Sequence, residues 1–178
     1  DMACYDLLGK EAGMPVYRLL GGNLYDSLPI MGAIGGETPE EAASAALKTQ
    51  AKGYHSLMVK VGRDPVQDAQ CVLAVREAVG AEYPLILDAN QGWDLASAKK
   101  FISIAEEANP VLFEQALVAE DIEGMAELRR SCNVPVSVDE SLTSFDCARA
   151  IIKLNAADVF SVKDCKNGGI KESMRIVE

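Results

Sequence analysis

Short apolar runs punctuate the chain at nearly regular intervals: Leu28–Ile34, Ser56–Val59, Pro84–Leu87, Val111–Phe113, Val134–Val138 and Asp158–Val162. Rich in Val, Leu, Ile and Phe and mostly without polar alternation, they read as strands buried on both faces. The stretches between them carry helix-start chemistry. Thr38-Pro39-Glu40-Glu41 is a capping box with proline at the first helical position, and Asp64-Pro65-Val66-Gln67 repeats the device. Asp94, Asp121 and Ser144 stand where the next three helices would be capped. Amphipathic faces follow, such as Ala98, Phe101, Ile102 and Ala105, or Ala148, Ile151 and Ile152. Strand and helix in strict alternation predict a parallel sheet with right-handed crossovers.

Two architectures accommodate that alternation, a doubly wound open sheet and a (β/α)8 barrel. The first should show a glycine fingerprint after its first strand, and Gly32, Gly35 and Gly36 form neither GxGxxG nor a phosphate loop. The barrel needs eight units where about six are present, the last helix cut short. Asp1 opens inside what reads as a helix and Glu178 closes inside another, so the chain is expected to be a fragment of a longer protein.

Composition narrows the partners. The 178 residues hold 17 Lys and Arg against 27 Asp and Glu, a net charge of −10, which speaks against a nucleic-acid surface or an anionic membrane. The longest uncharged stretch, Ser27 to Gly36, is too short to span a bilayer. Five cysteines without a CxxC pair disfavour a disulfide scaffold or a cysteine zinc site and fit a reducing cytoplasm.

The chemistry lies in what ends each strand. Val59 is followed by Lys60, Leu87 by Asp88, Phe113 by Glu114, Val138 by Asp139 and Val162 by Lys163. The separations of 28, 26, 25 and 24 residues are each one strand-helix unit, so the five side chains belong at the C-terminal ends of consecutive strands. In a parallel barrel that is the face where active sites are built. Any one such charge is unremarkable at a solvent boundary; five in a row are not. Three carboxylates on adjacent strands, Asp88, Glu114 and Asp139, can converge on one divalent cation, and all-oxygen ligation suits Mg²⁺. Lys60 and Lys163, on strands two and six of eight, would flank a substrate from opposite sides. An ammonium near a divalent cation has its pKa lowered, as a lysine base requires. Such a set removes a proton next to a carboxylate and stabilises the resulting enediolate.

These motifs resemble those of the enolase superfamily, specifically the mandelate racemase and muconate lactonizing enzyme group. Tyr5-Asp6-Leu7-Leu8-Gly9-Lys10, Pro15 and Leu19-Leu20-Gly21-Gly22 resemble the segment joining that family's capping domain to its barrel. Asp88-Ala89-Asn90-Gln91-Gly92, Phe113-Glu114-Gln115 and Val138-Asp139-Glu140-Ser141 are similar to its three metal-ligand motifs, and Lys163 through Gly169 to its sixth-strand lysine and paired glycines. The resemblance implies residues 1–26 as the end of a capping domain and linker, and residues 27–178 as a partial barrel catalytic domain. It implies Mg²⁺, or Mn²⁺ in its place, a small carboxylate substrate and a homo-oligomer. A lysine on strand six resembles the muconate lactonizing enzyme subgroup. The implied reaction is that of a cycloisomerase, racemase or epimerase, with a dehydratase or a weakened barrel serving as a binding module as alternatives.

One departure stands out. The family usually carries Lys-x-Lys on strand two, where this chain reads Met58-Val59-Lys60. Residues two apart share a face, so Met58 is expected beside Lys60, with Asn90 and Glu140 as further residues around the ligands or the substrate. His55, Trp93 and Cys165 read as surface, rim and packing residues. Ser137 and Ser161 lack the partners of a serine hydrolase.

Overall fold

Each predicted cap engages the helix behind it in the computed structural model, which describes every residue from Asp1 to Glu178. The Thr38 hydroxyl accepts from the amide of Glu41 at 3.3 Å and starts α3 (Pro39–Gln50). Asp64 accepts from Val66 and Gln67 ahead of α4 (Pro65–Val79). Asp94, Asp121 and Ser144 do the same for α5 (Leu95–Ala105), α6 (Ile122–Ser131) and α7 (Phe145–Leu154). A side chain that satisfies an orphan amide of the first turn stabilises its helix by about 1 kcal/mol. Two helices precede this series, α1 (Met2–Ala12) and α2 (Val16–Leu19), and α8 (Ile170–Val177) follows it. No helix is long and apolar enough to cross a membrane.

Between the helices run β1 (Gly32–Ile34), β2 (Leu57–Lys60), β3 (Leu85–Asp88), β4 (Leu112–Glu114), β5 (Val136–Val138) and β6 (Val159–Phe160). They form one parallel sheet in the order β1-β2-β3-β4-β5-β6, the sequential winding of a (β/α) barrel, with six strands present.

Three of these strands, β1, β5 and β6, are shorter than their apolar runs, β5 beginning two residues after Val134. Gly32 pairs with Leu57, where β2 begins, so Leu28 to Met31 have no partner backbone; Leu28 and Ile30 are exposed, and Pro29 has no amide to donate. At the other edge the ladder ends where Val138 meets Phe160, leaving residues 161 to 163 beyond their partner strand.

The expectation of strands buried on both faces also needs correction. One face is fully buried: Leu57, Val59, Leu85, Leu87, Phe113, Val136 and Val138 pack against the helices in a single apolar core. The opposite face is half open, with Met58, Ile86 and Leu112 only partly covered. Trp93 is a core residue, packed against Phe101 at a ring separation of 4.5 Å with its indole N–H on the carbonyl of Arg63.

Candidate active site at the strand ends

The candidate residues gather because the strands are in register. Lys60 lies opposite Asp88, and Asp88 opposite Glu114, so the three stand side by side at the ends of β2, β3 and β4 on the open face. Glu114 is opposite Ser137, which places Asp139 one step higher, just past β5. Lys163 stands three residues beyond β6 rather than at its last position, and reaches back. The loops after β2 and β3 cross closely here. A Cβ on Gly62 would strike the carbonyl of Ala89, and one on Gly92 the backbone of Gly62, so both positions need glycine.

The two lysines hold different carboxylates. Lys60 Nζ donates to Asp88 Oδ2 at 2.5 Å and to Asn90 Oδ1 at 2.9 Å. Lys163 Nζ donates to Asp139 Oδ2 at 2.5 Å. Asn90, whose backbone takes a positive φ of 43°, also donates through Nδ2 to Glu140 Oε1, so it joins Lys60 to the far side of the site. Met58 flanks Lys60 on the same face, with Ile86 as its register partner.

Three residues not singled out by the strand-end pattern complete the arrangement. Gln115 is fully buried and uses its whole amide. Its Oε1 accepts from the amides of Asp139 (2.8 Å) and Ser141 (3.1 Å), and its Nε2 donates to Leu117 O and Ser141 Oγ. Lys166 Nζ donates to Asp139 Oδ1 at 2.6 Å, to the Asp139 carbonyl and to Ser161 O. Asn167 accepts from the Lys163 amide and donates to Leu142 O. The available signal was adjacency: Gln115 follows Glu114, and Lys166 and Asn167 follow Lys163 by three and four positions.

The electrostatics are unbalanced. Burial, then the charges of Asp88 and Asp139, pushes the Glu114 carboxyl above the usual range, and no hydrogen bond offsets them. Burial would also raise Asp139, but hydrogen bonds from Lys163 and Lys166 overcome it and hold that carboxyl low. The hydrogen bond to Asp139 raises Lys163 despite partial burial, with the charges of Asp139, Glu114 and Glu140 adding to it. Among the protein's own groups Lys163 is therefore held protonated, the reverse of the lowering expected from a neighbouring cation.

No three acidic, imidazole or thiol side chains close tightly enough to hold a metal ion between them. The chemistry of the set nevertheless fits a hard divalent cation. Its donors are all carboxylate oxygens; Glu114 is 5% exposed and its pKa stays raised despite the opposing charge of Lys163, and Glu140 Oε2 is buried without a partner. Asp88, Glu114 and Asp139 are the residues that could hold it.

This constellation has close parallels. Residues 40–178 match the family described as enolase C-terminal domain-like. The N-succinyl-L-Arg/Lys racemase of Bacillus cereus is 36% identical over 177 residues, 99% of this chain and 48% of that protein. The hydrophobic dipeptide epimerase of Enterococcus faecalis is 37% identical over 99% of this chain and 49% of its own. A crystal structure of the dipeptide epimerase from Cytophaga hutchinsonii, complexed with Mg and D-Ala-L-Val, superposes with a TM-score of 0.94 at 29% identity, covering 99% of this chain and 48% of that one. The chain thus spans about half the length of the curated relatives it matches. Fold, strand-end motifs and these matches agree: the chain belongs to the enolase superfamily, in its mandelate racemase and muconate lactonizing enzyme family.

Proposed function

We propose that the chain carries the acid/base and cation-binding part of an active site that moves the proton α to a carboxylate, racemising or epimerising an N-acylated amino acid or a dipeptide. Residues 27–178 are the barrel portion of that site, and residues 1–26 the end of a capping domain. One observation carries this reading: two lysines from the two sides of the sheet each engage a different carboxylate of one contiguous set. The names of the racemase and epimerases it resembles support the substrate class.

Asp88, Glu114 and Asp139 would hold Mg²⁺, or Mn²⁺ in its place, with Asn90 and Glu140 around them. When bound, the cation supplies positive charge beside the substrate carboxylate as electron density moves onto it. The lysines do the proton work. Lys163, held protonated by Asp139, delivers a proton to one face of the α-carbon, and Lys60 removes the proton from the other; the opposite substrate configuration reverses these parts. Met58 adds an apolar wall beside Lys60.

The test is α-proton exchange in D₂O with the intact protein. Lys60→Ala should slow exchange from one configuration, and Lys163→Ala from the other, each by about 100-fold or more. Strongly unequal losses would favour a cycloisomerase, in which one lysine acts only electrostatically. Undiminished exchange in the double variant would refute the assignment.

A further inference from the structure

The three lysines around Asp139 and Asp88 differ in how many donors they have left. An ammonium group has three N–H donors. Lys163 Nζ uses one on Asp139 Oδ2, and Lys60 Nζ uses two. Lys166 Nζ uses all three, on Asp139 Oδ1, the Asp139 carbonyl and Ser161 O. Its side chain is also the least exposed, 18% against 44% for Lys60 and 51% for Lys163.

The turn that delivers it is built to hold. The amides of Lys166 and Asn167 both donate to the Lys163 carbonyl, and Asn167, itself buried, ties the turn to Leu142 through Nδ2. The other side of Asp139 is equally fixed, since its amide donates to the buried Gln115. Asp139 thus has its amide, its carbonyl and one carboxylate oxygen committed to protein partners. Only Oδ2 meets a group, Lys163, that has donors to spare.

We infer that Lys166 is a positioning residue that keeps Asp139 a one-oxygen ligand and thereby selects Mg²⁺ over Ca²⁺. The inference rests on the reading of Asp139 as a cation ligand. Its physical basis is the difference in what the two ions ask of a carboxylate. Ca²⁺ takes six to eight oxygens and readily accepts both oxygens of one carboxylate, whereas Mg²⁺ demands a compact octahedron. With Oδ1 capped, Asp139 offers one oxygen in one orientation. Released from Lys166, it can rotate and offer two.

Calorimetric titration of the intact protein with Mg²⁺ and with Ca²⁺, in the absence of substrate, tests this directly. In Lys166→Met the Mg²⁺ Kd should rise about tenfold, the size typical of losing an outer partner of a ligand. The Ca²⁺ Kd should change by less than about twofold, so that discrimination narrows. Lys166→Arg, which keeps a cationic donor, should restore most of the ratio. Should the Met variant fail to fold, Lys166→Gln is read by the same criterion. Equal weakening toward both ions, or an unchanged Mg²⁺ Kd, would overturn the role given to Lys166 while leaving the site intact. Absence of Mg²⁺ heat in the unsubstituted protein, matched by Glu114→Gln, would instead remove the cation site itself, and this inference with it.

Discussion

A carboxylate as buried as that of Glu114, with Asp88 and Asp139 beside it, works against folding until a cation or a proton reaches it. Glu114→Gln keeps the shape and removes the charge. In EDTA this variant should be more stable than the unsubstituted protein by about 1 kcal/mol in urea unfolding. Mg²⁺ should raise the melting temperature of the unsubstituted protein and leave that of the variant unmoved. Equal stabilisation of both by Mg²⁺ would count against Glu114 as a ligand. Met58 raises a different question, because it stands where a second cation would accompany Lys60. Met58→Lys places a like charge there, which favours the neutral amine of Lys60. If Lys60 must be neutral to act, the acidic limb of the pH–rate profile should move to lower pH in this variant. An unmoved limb would reduce Met58 to packing.

At the scale of elements, one ion pair ties α6 to β5 through Asp158, the residue that precedes β6. Arg129, at the end of α6, donates through Nε and Nη2 to Asp158 Oδ1, and Asp158 Oδ2 accepts from the amide of Val136 at the start of β5. Burial would raise the Asp158 carboxyl, but the hydrogen bonds from Arg129 and Val136 overcome it and hold it below the usual range. A depressed carboxyl contributes stability above its unfolded pKa of about 3.9, and that stability disappears as pH falls through the lower folded value. Asp158→Asn should therefore cost about 0.5–1 kcal/mol at pH 7, the pair being partly solvent-screened, with the two proteins converging below about pH 3. Urea unfolding across pH 2.5 to 7 measures both; parallel curves throughout would rule out the linkage.

The same scale explains what could be read from residues alone. The caps were legible because Thr38, Asp64, Asp94, Asp121 and Ser144 find their partners within three residues. The strand-end charges were legible because the winding is periodic. The bonds of Gln115 and Lys166 to Asp139 were not, since that partner lies 24 and 27 residues away and the aim depends on turn geometry, including a φ of 35° at Gln115. The apolar run Leu28–Ile34 overstates β1 because apolarity alone does not reveal where a neighbouring backbone begins.

Over the whole molecule, the winding order accounts for both the architecture and the placement of the site, since each strand pairs only with the next in sequence. Two contacts run against that locality: Asn90 Nδ2, after β3, donates past β4 to Glu140 Oε1, and the Lys171 amide, at the start of α8, donates to the Asp1 carboxylate at 3.3 Å. Apart from these, each strand pairs only with the unit before it, so the chain has an assembly order that matches its order of synthesis. Joining each new strand closes a loop of similar length, at a similar entropy. A ribosome-bound chain whose exposed portion ends after Asn109 should already shield β1 to β3 from protease. One ending before Leu85 should shield nothing, because two strands are too few to stand alone. Protection that appears only once α8 has emerged would show that the Asp1 contact, rather than the sequential pairing, gates folding. On the order expected here, the three carboxylates come together before Lys163 and Lys166 leave the ribosome, and the lysines dock last onto a site already assembled.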